Sequence, residues 1–208
     1  MQEIFKKYHS LLEAVNSSFA QIKGAFPQEV HCRPGCVDCC NACFDISFIE
    51  AVYIRMNMDN VFTESAERQR LFERADQAKK QFESKLNSVE DEISRQDLLE
   101  KFSLWRVQCP LLNDQGECAM YEWRPVTCRV YGLPTAINGK GHVCGLSGFN
   151  KGEMYPTVKL DTIFDHLLKL SSTLGVNYPG IPEERGSKRF HIHEALTMDL
   201  DPGFEGDL

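Results

Sequence analysis

His31–Cys43, HCRPGCVDCCNAC, holds five of the nine cysteines of a 208-residue chain. The other four, Cys109, Cys118, Cys128 and Cys144, gather in one later segment, so two distant parts of the sequence each carry half of a thiol-rich site. Cys36-x-x-Cys39 and Cys40-x-x-Cys43 are back-to-back pairs. The tight turn in such a pair lets two sulfurs converge on one tetrahedral ion or one corner of an iron-sulfur cluster. A single C-x-x-C would be weak evidence. Two consecutive pairs, with Cys32 just upstream and four more cysteines later, point to metal. The fold must then bring an irregular early loop against a segment some seventy residues away.

Composition narrows the alternatives. With 42 % hydrophobic and 25 % charged side chains, a chain of this length buries a core without covalent staples. Disulfide frameworks belong to short exported chains, whereas the opening MQEIFKKYHSLLEAV is charged and polar where an apolar export segment would sit. Reduced thiols in a cytoplasmic protein are the expectation, and an odd count of nine excludes complete internal pairing. A formal charge of -7 and a pI near 5.4 argue against a general nucleic-acid binder, and no apolar run has the length of a membrane span.

Around the cysteines the periodicity is helical. Ile4, Phe5, Tyr8, Leu11, Leu12, Val15, Phe19 and Ile22 recur at three- and four-residue steps, with Gly24 and Pro27 as stop signals. Ser47 and Glu50 have the spacing of a capping box ahead of Phe48, Ile49, Val52 and Ile54. The cluster loop thus feeds a helix whose positive end is expected to point back at the thiolates and lower their pKa. From Thr63 to about Leu104 the chain has neither Pro nor Gly. Leu71, Ala75, Ala78, Phe82 and Leu86 mark a first helix there. Ser88 is expected to cap a second, carrying Ile93, Leu98, Leu99 and Phe102. This charged arm reads as a solvated face or as a docking surface for a protein partner. Later, Asp161 is expected to cap a core helix carrying Ile163, Phe164, Leu167, Leu168, Leu170 and Leu174 and closed by Gly175, and a short helix follows around Phe190–Leu200.

In the second cysteine segment, Asn113-Asp114-Gln115-Gly116 predicts a turn with Cys109 and Cys118 near the two bases of a hairpin. Arg124-Pro125 predicts the start of a short helix through Tyr131, ending at Gly132 and carrying Cys128, and Asn138-Gly139 predicts another turn before Cys144. The fold expected is mainly α, a helical scaffold around an irregular cysteine-rich metal-binding core with a short β-hairpin. A single domain over 1–208 is expected, with the cysteine-cluster core at 31–146, a helical insertion at about 63–104, and packing helices within 1–26 and 160–200.

These residues carry a resemblance. Cys32-Arg-Pro-Gly-Cys36-Val-Asp-Cys39-Cys40, Cys109-Pro-Leu-Leu, Gly116-Glu-Cys118-Ala-Met-Tyr121, Arg124-Pro-Val-Thr-Cys128-Arg129 and Cys144-Gly145 together resemble the YkgJ-type cysteine-cluster family, a zinc- or iron-chelating domain often read as iron-sulfur. A similar cluster occurs in flagellin lysine N-methylases. The resemblance implies eight ligands, Cys32, Cys36, Cys39, Cys40, Cys109, Cys118, Cys128 and Cys144. It leaves Cys43 outside the pattern, although its spacing to Cys40 keeps it a possible ligand.

Eight thiols suit two centres of four. Adjacent side chains such as Cys39 and Cys40 point in different directions, so they are more easily shared between two centres than placed on one ion. Four thiolates suit Zn2+ and a 4Fe-4S cluster alike. The family resemblance, the Cys109-Pro pair and the excess of thiols over paired histidines favour iron-sulfur. Arg33, Arg124 and Arg129 sit beside cysteines, where they would offset the negative charge of the site or else stay as surface arginines. His31 and His142 also flank cysteines and are candidate replacements for one sulfur; His191 and His193 read as surface or packing residues.

No phosphate-binding glycine loop, Ser-His-Asp signature or dinucleotide fingerprint is present in the sequence. Three functions follow as expectations: a redox or electron-transfer iron-sulfur protein, a zinc-stabilised protein-interaction module, and a cluster-dependent enzyme resembling the flagellin methylases. The partner expected is a protein, with neither nucleic acid nor a membrane span.

Overall fold

The helix that follows the early cysteine loop, α2 (Phe48–Val61), is the axis of the molecule. Phe48 to Ile54 are all buried, as are Asn57 and Met58, so the first two turns are enclosed on every side, while Asp59 and Asn60 near the far end are exposed. The computed structural model describes residues 1–89, 95–177 and 183–200. Around α2 lie α1 (Gln2–Ala25), α6 (Leu160–Asn177) and the short α5 (Val126–Val130) and α7 (Ile192–Thr197). The architecture is mainly α, and among the described residues no helix is long and apolar enough to cross a membrane.

α1 buries Ile4, Phe5, Tyr8, Leu12, Val15 and Ile22 along one stripe, as its three- and four-residue spacing requires. It packs on α5 and α6. On α6 the buried residues are Leu160, Leu167, Ser171, Leu174 and Gly175. The Ser171 hydroxyl accepts from Ile49 N at 3.1 Å, so α6 satisfies one of the free amides in the first turn of α2. Two expectations for α6 change. The helix already begins at Leu160, and Asp161 uses its carboxylate instead to accept from Asn138 N at 2.9 and 3.2 Å. Gly175 lies inside the helix, which runs on to Asn177.

α3 (Ser65–Asn87) and α4 (Arg95–Leu104) occupy the segment expected as a helical insertion. Leu71, Ala75 and Ala78 are the buried residues of α3, which lies on α7, so its small apolar stripe is already covered. Ser88 closes α3, its hydroxyl donating to Lys85 O at 2.7 Å, and does not open the next helix. Ile93 lies outside the described residues. Phe82, Phe102, Trp105 and His191 stack where the insertion meets the start of α7, with Phe82 and His191 ring centroids 4.2 Å apart. His191 is the N-cap of α7, and Glu194 accepts its backbone N–H at 2.8 Å.

Strands are short. β1 (Ile46–Ser47) pairs antiparallel with β5 (Arg189–Phe190). β2 (Thr135–Ile137) pairs antiparallel with β3 (Lys140–His142) and parallel with β4 (Val158–Lys159). The β2–β3 turn is Asn138-Gly139, with φ of 51° and 73°, the two left-handed positions a tight two-residue hairpin loop needs. The Asn113–Gly116 turn also forms, but its arms meet in the lone bridge Leu112–Cys118, without a ladder.

Candidate metal centre

Two turns shape the early run. Arg33-Pro34-Gly35-Cys36 closes with Cys36 N donating to Arg33 O at 3.0 Å, and Gly35 takes φ of 84°, as the third position of a type II turn requires. A 3-10 turn at Cys39–Asn41 follows, with Cys40 N bonded to Val37 O and Asn41 N to Asp38 O, both at 3.0 Å. The run then lies along the later segment. Cys43 N donates to Trp105 O (3.3 Å), Val107 N to Asn41 O (3.1 Å) and Cys109 N to Cys40 O (2.7 Å), with a bridge between Ala42 and Arg106. This main-chain seam sets Cys39 and Cys40 beside Cys109. The Asn113 turn carries Cys118 back, since Ala119 N donates to Leu111 O at 2.8 Å.

Cys128 arrives on α5, which Glu50 holds in register. Glu50 is buried. Its Oε2 accepts from Ser47 N at 2.8 Å and from Ser47 Oγ at 2.7 Å, closing the expected capping box, while Oε1 accepts from Val126 N at 2.9 Å. One carboxylate thus serves the first turns of two helices.

The sulfurs fall into two groups. In the inner one, Cys39 is hydrogen-bonded to both Cys128 and Cys40, and Cys109 and Cys118 lie within electrostatic reach of these. The outer one comprises Cys32, Cys36 and Cys144, with Cys39 sensed from Cys32. The Cys144 loop is tied to the first turn of the run: Gly148 N donates to Glu29 O at 2.8 Å, and His31 has Nδ1 2.5 Å from Leu146 O and Nε2 2.9 Å from Gln28 O. With both ring nitrogens so engaged, His31 anchors the loop. His142 is exposed on β3. Cys43 stands apart, its charged neighbours being Asp45 and Lys85 with no thiol among them.

Burial and mutual negative charge govern the thiols. Burial, then Cys36 and Cys144, pushes Cys32 up to about 11. Burial, with Cys118 and Cys39, pushes Cys109 up to about 12. Cys40 and Cys128 rise because they donate to Cys39 and because they are buried, and Cys118 and Cys144 rise chiefly by burial. Cys39 is pulled down instead, by hydrogen bonds from Cys128 and Cys40. A general lowering by the α2 terminus is therefore not what the fold produces: Glu50 occupies that terminus, and desolvation outweighs any dipole.

The arginines differ from one another. Arg129 is buried and spends its donors on Arg124 O (2.9 Å), Asn16 Oδ1 (3.1 Å) and Glu122 O (2.5 Å), tying α5 to α1, so it is a structural clamp and not a donor to sulfur. Arg124 stacks over Tyr121, 3.7 Å from the ring centroid, and its charge favours the Cys118 thiolate. Arg33 is exposed. The residue that sequence reasoning missed is Asp38, whose carboxylate meets Arg106, Tyr131 and Cys144; its place inside the C-x-x-C was the signal available.

Three observations bear on a metal or cluster here. The donors are soft thiols, which suit zinc and iron-sulfur centres. A Cβ on Gly132 would run into Cys32 Sγ, so the backbone is cut away to admit that sulfur. The Tyr8 hydroxyl, fully buried, has no hydrogen-bond partner, and Glu50, Arg129 and Cys128 lie within its electrostatic reach. Among the described residues no three His, Cys, Asp or Glu side chains stand together as a ready-made metal site.

A helical scaffold that brings eight cysteines from two distant segments into adjoining groups defines a cysteine-cluster metal-binding domain. The chain belongs to the CxxCxxCC family, described as a putative zinc- or iron-chelating domain, whose model matches residues 31–145. No curated protein and no solved structure matches the chain.

Proposed function

We propose that this protein holds iron-sulfur in its inner thiol group and serves in electron transfer, with Cys39, Cys40, Cys109, Cys118 and Cys128 supplying that centre and Cys32, Cys36 and Cys144 a second, outer metal site. The observation that carries this reading is the seam along which Cys109 N donates to Cys40 O, because it fixes two cysteine-bearing segments side by side through main chain alone. A cluster bound there would supply one-electron chemistry, whereas zinc would supply only folding energy. The chain's own part is to place and shield. Glu50 sets the height of α5 and hence of Cys128, Arg124 offsets charge at Cys118, and Cys40 is itself buried away from water. The excess of thiols over ligating histidines favours iron-sulfur over zinc.

Anaerobic purification with iron, acid-labile sulfide and zinc analysis tests this. Iron and sulfide in near-equal amounts, with a visible charge-transfer band that bleaches on reduction, are expected. A colourless protein carrying zinc alone, and unfolded by chelator, would make it a zinc-stabilised interaction module.

A further inference from the structure

The outer group has three cysteines where a tetrahedral centre needs four ligands. Cys39 is the nearest candidate thiol, but its sulfur is engaged with Cys128 and Cys40 in the inner group. A different donor is already in position. Asp38 Oδ2 lies 3.5 Å from Cys144 Sγ. With metal–sulfur and metal–oxygen bonds of about 2.3 and 2.0 Å, sulfur and oxygen on one tetrahedral zinc stand about 3.5 Å apart. The carboxylate is also held as ligating carboxylates are, by hydrogen bonds around it: Arg106 Nη2 reaches Oδ1 at 2.5 Å, and the Tyr131 hydroxyl donates to Oδ2 at 3.0 Å. Tyr131 is followed by Gly132, the residue cut away for Cys32 Sγ, and Cys32 in turn lies within electrostatic reach of Cys144.

We infer that Asp38 is the fourth ligand of the outer centre, through Oδ2, making it a three-thiolate, one-carboxylate site for a divalent ion such as zinc beside an all-sulfur inner centre. The inference rests on the reading of both thiol groups as metal centres. On binding, the ion takes the place of the proton between Cys144 Sγ and Asp38 Oδ2; Cys32, Cys36 and Cys144 each release a proton, and no electron moves. The harder oxygen ligand makes this the weaker site for a soft ion.

The test loads the reduced, metal-free full-length protein with 113Cd2+ and records its 113Cd resonances. Two are expected, one at the all-sulfur position and one more shielded, as an oxygen ligand requires. Asp38→Cys moves the second to the all-sulfur position, and Asp38→Asn weakens the second ion by at least about tenfold while leaving the first. Arg106→Ala removes the same ion pair but keeps the carboxylate, so its second resonance stays shielded; a purely structural Asp38 would make Arg106→Ala and Asp38→Asn alike. Two all-sulfur resonances in the native protein, with Asp38→Asn binding two ions unchanged, would overturn the assignment and give the corner to Cys39 or Cys40. No bound cadmium at all would remove the metal-centre reading along with it.

Discussion

Glu50 shows how much one side chain decides here. Its carboxylate ties Ser47 at the start of α2 to Val126 at the start of α5, and α5 carries Cys128. Glu50→Gln puts an amide N–H₂ opposite one of these donors, leaving a buried group unpaired. A loss of about 2–4 kcal/mol is expected, read from urea unfolding of the metal-free protein. Half of this role was legible, since Ser47-x-x-Glu50 spells a capping box, but the bond to Val126 was not. That bond spans residues far apart in sequence, and nothing local to either one announces it. The cysteines divide in the same way. Their candidacy follows from spacing, whereas the sorting into inner and outer groups, the isolation of Cys43 and the place of Asp38 depend on neighbours supplied by the fold. Arg129 misled for a related reason: its position next to Cys128 in the chain says nothing about where its guanidinium goes, and α1 takes it.

At the level of elements, the amphipathic helices were the easiest to read, because α1 and α6 each bury one stripe. α2 itself carries little periodicity, since every face of its first two turns is covered, and its central place became visible only in the fold. Helix ends were less legible than helix bodies: Asp161 and Ser88 look like caps in sequence yet serve a neighbouring turn and the preceding helix. The insertion makes a separable prediction. Phe82 joins α3 to His191, Phe102 and Trp105 but is only half-buried. Phe82→Ala should cost about 1–3 kcal/mol, below the range for a fully buried phenylalanine, and leave the metal content unchanged. A fall in metal content would mean that the arm supports the centre as well as α7.

For the whole molecule, the thiols make stability depend on pH. Cys32, pushed up to about 11, and Cys109, up to about 12, stay protonated in the folded state at pH values where the unfolded chain has begun to ionise near 9. The folded state then binds more protons, so stability falls as pH rises. The contribution is complete below about 9 and lost between about 9 and 12. Cys39 is shifted the other way and loses its contribution below 9, so it adds no slope in that alkaline window. A thermal series on reduced, metal-free protein should show Tm declining steadily above pH 9. A flat profile there would mean that the thiols are not held neutral by their surroundings.

The seam between Asn41 and Val107 and between Cys40 and Cys109 also bears on how the chain folds. An ion gripping sulfurs from both sides acts as a cross-link closing a loop of roughly seventy residues, and in the chain-entropy picture such a closure restrains the denatured ensemble by about 4 kcal/mol. Because that cost grows only with the logarithm of loop length, the helices between the two anchor points can lengthen or shorten over generations with little change in the hold of the knot at their base.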